Sequence, residues 1–188
     1  IMISYLEGLE DDPSILTQKI VYDPKVHKPP EELTQLVQPP PPLTPGQAYE
    51  VQILLQRMIT YSDNVATFML LTHKADLNIE QTLKRMNVFL DSRDNDTWIT
   101  VRAYSSIFRI LYNATYLSQK LSNSVLDLLT RVEFKDGLIA GLGEPIPVAH
   151  KFGERAYNSL FQLHDCGIVY FPNRPYLLCV MTRGKSLD

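Results

Sequence analysis

The sequence predicts an α+β fold in which a helical region packs with a small antiparallel sheet covered by helices. Its 188 residues are enough for one domain with a buried core. Apolar residues recur at helical spacing through most of residues 1–133. Between residues 146 and 183 the pattern changes to apolar runs with short links, which is typical of an antiparallel meander. We therefore expect a single domain over residues 1–188 with its strands near the C-terminal end.

The first helix is expected to end near Gly8, after the apolar run Ile1–Leu6. No capping residue precedes this run, so we expect a helix that is already under way and a natural protein that begins upstream. Eight of the 13 prolines lie between Pro24 and Pro45. Because proline removes a backbone donor and fixes φ, this Pro-rich segment (residues 24–45) is expected to be an extended surface excursion. A connecting loop within the domain is favoured over a proline-rich ligand for a partner.

Five further helices are predicted from apolar spacing and capping residues. Thr44–Gln47 is interpreted as a capping box before a helix, with proline at the first helical position. The polar stretch Tyr61–Asn64 separates that helix from the next one. Asn78 and Thr100 are expected to cap two later helices, and a last helix is predicted from about Ser122. The expected core positions include Leu54, Met58, Met69, Met86, Val88–Leu90, Phe108 and Leu128.

Three strands are predicted at residues 146–152, 160–171 and 176–181, with a turn at residues 172–175. The short links imply antiparallel pairing. The stretches Ile168–Phe171 and Leu177–Val180 are apolar at both parities, so we expect helices on both faces of the sheet.

Composition and cysteine usage exclude several function classes. A net charge of −3 without a dense basic stripe argues against a nucleic-acid partner. No apolar run reaches the roughly 18 residues needed to span a bilayer, and no signal peptide is visible. Cys166 and Cys179 lie in apolar runs and are expected to be buried free thiols rather than a disulfide. Neither cysteine has metal-ligand spacing.

Ser62-Asp63-Asn64 is the first group of residues that fits a chemical role. A hydroxyl at Ser62 both donates and accepts, so it can relay a proton to a leaving nitrogen. The amide of Asn64 can hold a substrate amide from both sides if a tight turn points it into the same cavity. The alternative is that Ser62 or Asp63 caps the helix that begins near Val65.

Lys151-Phe152-Gly153, at the start of the strand region, is the second such group. A lysine in an apolar strand is costly to bury unless it faces a polar cleft, where its cation attracts a substrate carboxylate. Gly153 carries no side chain and lets a substrate backbone approach the strand edge. The alternative is a solvated lysine on an edge strand.

In order and context the two motifs resemble the serine β-lactamase and penicillin-binding transpeptidase family, particularly its class A β-lactamase branch. The resemblance covers nearly the whole chain and rests on Tyr61–Thr67, Thr100–Arg102, Phe134–Leu142, Val148–Glu154, His164–Tyr170 and Tyr176–Gly184. It implies that Ser62 is the proton relay to the β-lactam or leaving-amine nitrogen. Lys151 is implied to bind the carboxylate and the relay hydroxyl. Asn64 would bind the substrate's side-chain amide, with Phe152 and Gly153 beside it, and no cofactor or metal is implied.

The resemblance also implies that several parts of the family's domain and site are missing from this sequence. The family's nucleophile motif, Ser-x-x-Lys, occurs nowhere in the chain and would lie just before Ile1. The family's C-terminal helix has no counterpart beyond Asp188, so the domain is expected to be incomplete at both ends. Phe152 stands where the family has a hydroxyl residue that helps bind the substrate carboxylate. Cys166 stands where it often has a carboxylate-binding arginine.

The glutamate with which class A enzymes activate the deacylating water also has no counterpart. In the family this glutamate is followed by x-x-Leu-Asn. The glutamates between the two motifs are Glu80, Glu133 and Glu144, none of them in that context. Asp91, Asp94 and Asp96 are weaker substitutes.

Three functions stay open. The first is a serine acyl-transferase domain for β-lactams or the D-alanyl peptides of peptidoglycan, exported to the periplasm or cell surface as the resemblance implies. Without the glutamate, slow turnover like that of a penicillin-binding protein is as well supported as efficient hydrolysis. The second is a non-catalytic β-lactamase-fold binding or scaffold protein, favoured by Phe152 and the missing nucleophile. The third, a helical interaction module with a proline-rich ligand, explains the prolines but not the paired motifs.

Overall fold

The computed structural model of the chain describes residues 1–9, 11–30, 33, 35–39, 41–74, 78–93, 96–157 and 159–186. The helices in this part are α1 (Met2–Glu7), α2 (Val51–Thr60), α3 (Asn64–His73), α4 (Ile79–Arg85), α5 (Val101–Tyr112) and α6 (Gln119–Leu129). The strands are β1 (Lys19–Val21), β2 (Ala48–Glu50), β3 (Asp91–Arg93), β4 (Asp96–Trp98), β5 (Val148–Tyr157), β6 (Leu160–Val169) and β7 (Tyr176–Gly184). The predicted α+β fold is confirmed. Across the described ranges, no helix combines the length and apolar character that crossing a bilayer requires.

The C-terminal sheet is the predicted antiparallel meander, with strand order β5-β6-β7. Lys151 pairs with Cys166, which in turn pairs with Cys179, so the three residues form one row across the sheet. Helix α5 packs against β6 and β7, and α6 packs against β5. The helices and the sheet share one apolar core, in which Tyr5 of α1 donates its hydroxyl hydrogen to the backbone oxygen of Leu70 in α3 (2.7 Å).

Two predicted helix caps are confirmed. The side chain of Asn78 accepts from the backbone N–H of Gln81, and that of Thr100 accepts from the N–H of Ala103. Helix α6 begins earlier than predicted, because Ser118 caps it. Of the expected core run after α4, Val88 is buried but Phe89 is 62% exposed.

The predicted capping box at Thr44–Gln47 is wrong. These residues form a turn in which the N–H of Gln47 donates to the oxygen of Thr44 (3.1 Å) and Gly46 has a φ of +79°. Strand β2 follows the turn and pairs with β1, and α2 begins only at Val51. A strand partner more than 25 residues earlier in the chain decides this conformation, and local capping signals do not report such a partner.

The expectation that both apolar runs are buried on both faces holds in part for residues 168–171 and fails for β7. Ile168 and Val169 are buried, whereas Phe171, which follows the end of β6, is exposed. Residues 165–169 of β6 are all buried. Strand β7 is a sheet edge and exposes Tyr176, Leu177, Leu178 and Val180. An apolar run without alternation shows that a strand can be buried on both faces. The elements that pack against the strand decide which of its faces are buried.

The expectation of two free thiols is also wrong, because Cys166 and Cys179 form a disulfide. The two residues lie directly opposite each other on β6 and β7, with their Cα atoms 4.0 Å apart. Their partner is set by the register of the two strands, which the spacing of two cysteines in the sequence does not fix.

Candidate functional site

The turn between α2 and α3 presents Ser62. Asp63 caps α3 by accepting from the N–H of Ala66 (3.1 Å), as the alternative interpretation expected. Its other carboxylate oxygen pairs with Nε of Arg57 at 2.8 Å. Because Asp63 performs the capping, the hydroxyl of Ser62 is left to a different partner. Ser62 itself has a φ of +55°, a conformation that costs a non-glycine residue about 1–2 kcal/mol.

That partner is Lys151 on β5. Its Nζ donates to Oγ of Ser62 at 2.8 Å and also to the backbone oxygen of Phe152. Burial lowers the pKa of Lys151 to about 8, because removal from water disfavours the cation, while the carboxylates of Glu154 and Asp165 act in the opposite direction. The structure therefore brings the two predicted catalytic residues together across 89 positions of sequence.

The three predicted substrate-binding residues have different surroundings. Asn64 is the first residue of α3 and borders a cleft of about 330 Å³ beside the Pro-rich segment. Phe152 is only 1% exposed, and its ring stacks on Phe134 with the centroids 4.5 Å apart. A Cβ at Gly153 would meet no heavy atom within 4 Å, so the face of β5 on which it would stand is open there, and β5 is an edge strand of its sheet. Their roles toward a substrate stay predictions.

A second cavity, of about 340 Å³, is lined in part by Lys151. The rest of its lining is mostly apolar and comes from residues in or next to α1, α2, α4, α5 and α6. The residues are Ile1, Met2, Ile3, Ser4, Met58, Ile59, Ile79, Thr82, Leu83, Met86, Tyr104, Ile107, Phe108, Leu111, Val125, Leu129 and Lys151.

The carboxylates named above as candidates for deacylation differ in their surroundings. Glu80, Glu133 and Glu144 are all exposed, and Glu80 pairs with Lys84 on its own helix. Asp91 belongs to strand β3, and Asp94 lies outside the described residues. Across the described ranges, no group of three or more His, Cys, Asp or Glu side chains is arranged to hold a metal ion.

Sequence reasoning missed two residues beside the site, Gln35 and Glu154. The side-chain amide of Gln35 contacts the backbone on both sides of Ser62. Glu154 accepts a hydrogen bond from the backbone N–H of Leu36 (2.6 Å). No local signal identifies either residue, because each partner lies at least 26 positions away in the chain.

The chain is similar in sequence and fold to one group of known proteins. The model of the β-lactamase enzyme family matches residues 1–188. The penicillin-binding protein PBP-A is 21% identical, with a TM-score of 0.75 over 98% of this chain and 69% of that one. The TLA-3 extended-spectrum β-lactamase is 16% identical, with a TM-score of 0.79 over 100% of this chain and 74% of that one. A β-lactamase from Chitinophaga pinensis is 19% identical, with a TM-score of 0.75 over 100% and 75% of the two chains.

A comparison with curated proteins returned no match. At identities below 25%, the likeness to the solved structures concerns the fold alone. The family model, in contrast, is matched over the full length of the sequence. The chain therefore belongs to the β-lactamase enzyme family.

Proposed function

We propose that this chain is part of a serine acyl-transferase that acts on β-lactams or on D-alanyl peptides. The observation that carries the proposal is the 2.8 Å hydrogen bond from Nζ of Lys151 to Oγ of Ser62. A hydroxyl in contact with a lysine of lowered pKa is suited to pass a proton to a departing nitrogen. Membership of the β-lactamase family supports the same chemistry.

In this mechanism the nucleophile is a serine of a Ser-x-x-Lys motif that precedes Ile1 in the full-length protein. Attack of this serine on the substrate carbonyl would form the acyl-enzyme and break the C–N bond. The proton lost by the nucleophile would reach the leaving nitrogen through the hydroxyl of Ser62, and Lys151 would hold the substrate carboxylate. Asn64 and Gly153 would contact the substrate amide and backbone.

We expect the acyl-enzyme to be hydrolysed slowly. The three glutamates between the two motifs are exposed, and none has the context of the deacylating glutamate. A mutant of the structural neighbour PBP-A has been captured as an acyl-enzyme complex with penicillin G. This supports the formation of an acyl-enzyme by the present protein as well.

The proposed location is the periplasm or the cell surface. The Cys166–Cys179 disulfide supports export, because disulfides persist in oxidising compartments and are rare in the cytosol. The substrate, a small β-lactam or a peptidoglycan peptide, would be met in the same compartment.

The proposal is tested on the product of the complete gene. Mass spectrometry of the intact protein after incubation with benzylpenicillin should show a covalent adduct, and replacing the upstream serine by alanine should abolish it. An adduct that persists for hours supports slow deacylation. The 188-residue chain alone should form no adduct at the site. Absence of a Ser-x-x-Lys motif within two helical turns before Ile1 would overturn the catalytic proposal.

The second candidate is a non-catalytic binding or scaffold protein of the same fold. The burial of Phe152 favours it, because the position that carries a hydroxyl in the family is filled here by a ring packed on Phe134. This candidate predicts reversible binding of a peptide or β-lactam without an adduct, and calorimetry on the full-length protein separates the two.

A further inference from the structure

The Pro-rich segment is tied to both sides of the site by two neighbouring residues. Nε2 of Gln35 donates to the backbone oxygen of Tyr61 (3.0 Å), and its Oε1 accepts from the N–H of Asn64 (3.2 Å). The next residue, Leu36, donates its N–H to Oε1 of Glu154 on β5 (2.6 Å). The segment therefore runs from the turn that carries Ser62 to the strand that carries Lys151.

We propose that residues 35–39 form a strap that closes the site between the α2–α3 turn and β5. In this arrangement Gln35 is the positioning residue for the turn, and Glu154 is the latch that holds the strap against the strand. The assignment of the strap to an active site rests on the function proposed above. Its geometry is nevertheless testable without any catalysis.

The α2–α3 turn needs a partner of this kind. Ser62 has a positive φ, which an L-residue keeps only when its surroundings hold it. The N–H of Asn64, at the first position of α3, has no acceptor within its own helix. Gln35 supplies that acceptor and at the same time binds the oxygen of Tyr61, so one side chain fixes the backbone before and after Ser62. The Arg57–Asp63 ion pair holds the same turn through a different side chain.

The strap is also braced within itself. Nε2 of Gln35 donates to the oxygen of Val37 (2.7 Å), and Nε2 of Gln38 donates to the oxygen of Gln35 (2.9 Å). Gln35 therefore reaches the turn from a locally fixed backbone, and Leu36 is presented to β5 in a defined direction.

The latch uses one of the two carboxylate oxygens of Glu154. Only Oε1 of Glu154 is satisfied, while Oε2 is shielded from solvent and has no hydrogen-bond partner among the described residues. Burial raises the pKa of Glu154, and the N–H of Leu36 and the ammonium of Lys151 oppose that rise. A shielded carboxylate oxygen without a partner is destabilising, which offsets part of the stabilisation from the charge-assisted bond to Leu36.

Amide hydrogen exchange measured by NMR on the full-length protein tests the two attachments separately. Glu154→Ala should speed exchange of the Leu36 amide at least tenfold, whereas Glu154→Gln should retain most of its protection because an amide oxygen still accepts. Gln35→Ala should speed exchange of the Asn64 amide at least tenfold. Gln38→Ala is the matched control, because its side chain contacts the strap but not the turn.

The pKa of Lys151, followed by NMR, supplies a second readout. Glu154→Gln removes a neighbouring negative charge while the strap stays closed, so it should lower that pKa below about 8. Glu154→Ala should open the strap and hydrate the ammonium, so it should raise the pKa instead. Unchanged exchange at Leu36 together with a fall of the pKa in both variants would overturn the strap. That outcome leaves the Ser62–Lys151 contact, and with it the proposed function, untouched.

Discussion

Gly137 lies directly against the carboxylate of Asp165. A Cβ at Gly137 would overlap Oδ2 of Asp165 and come within 2.7 Å of the ring of Phe134. The same Oδ2 accepts from the N–H of Leu138 at 2.9 Å, and Oδ1 lies 2.9 Å from Nδ1 of the buried His150. The buried carboxylate of Asp165 therefore holds both the loop that leads to β5 and His150, the residue that precedes Lys151.

Gly137→Ala should therefore destabilise the protein by about 1–3 kcal/mol, as overpacking of a filled interior does. Urea unfolding followed by circular dichroism measures the change. Gly141→Ala is the matched control, because no heavy atom lies within 4 Å of its Cβ position, and it should change stability by less than about 0.5 kcal/mol. Equal effects of the two substitutions would contradict the contact with Asp165.

The disulfide should contribute about 3 kcal/mol to stability, because it closes a loop with a sequence separation of 13 residues. Denatured, unreduced protein should take up no iodoacetamide at Cys166 or Cys179. Adding a reductant should lower the urea midpoint of the wild type and leave that of Cys179→Ala unchanged. Alkylation of both cysteines before reduction would show that the thiols are free.

Ser62→Ala in the full-length protein should slow acylation by benzylpenicillin by about 10²–10⁴-fold, because the proton relay to the leaving nitrogen is lost. Stopped-flow or mass-spectrometric adduct formation measures the rate. Ser124→Ala is the control, since that hydroxyl donates only to the backbone oxygen of Lys120 on an exposed helix face. If Ser62→Ala is acylated at the wild-type rate, Ser62 has no part in the mechanism.

The pH dependence of acylation should report Lys151. Its folded pKa, about 8, lies below the ordinary value, so the cation is fully present well below pH 8 and is lost as the pH rises through 8. If the cation holds the substrate carboxylate, kcat/KM should fall about tenfold per pH unit above that point. Lys151→Arg should move this limb beyond pH 10, because arginine stays protonated. An alkaline limb at the same pH in both proteins would assign it to another group.

Gly153→Ala should leave folding intact and impair substrate binding. The added Cβ would have no protein heavy atom within 4 Å, so the unfolding free energy should change by less than about 0.5 kcal/mol. Because the same Cβ would stand where a substrate backbone approaches the strand edge, kcat/KM should fall at least tenfold. Gly184→Ala on β7 is the control and should leave kcat/KM unchanged.

The sequence by itself determined the features that depend on neighbouring residues. The caps at Asn78 and Thr100 and the helical spacing within residues 51–73 and 101–129 follow from contacts within a few positions, and the antiparallel meander follows from the short links between its strands. The motifs around Ser62 and Lys151 were identifiable for the same reason, since each is a short run with a recognisable flank.

Only the tertiary structure decided the features that depend on which distant segments meet. Strand register joined Cys166 to Cys179, and packing on Phe134 buried Phe152. The hydrogen bond from Leu36 to Glu154 spans 118 positions. Such contacts depend on the path of the whole chain, because their free energy is gained only after the intervening residues have been ordered. Local propensity does not depend on that path, so the contacts of the strap beside Ser62 and Lys151 could be identified only in the folded structure.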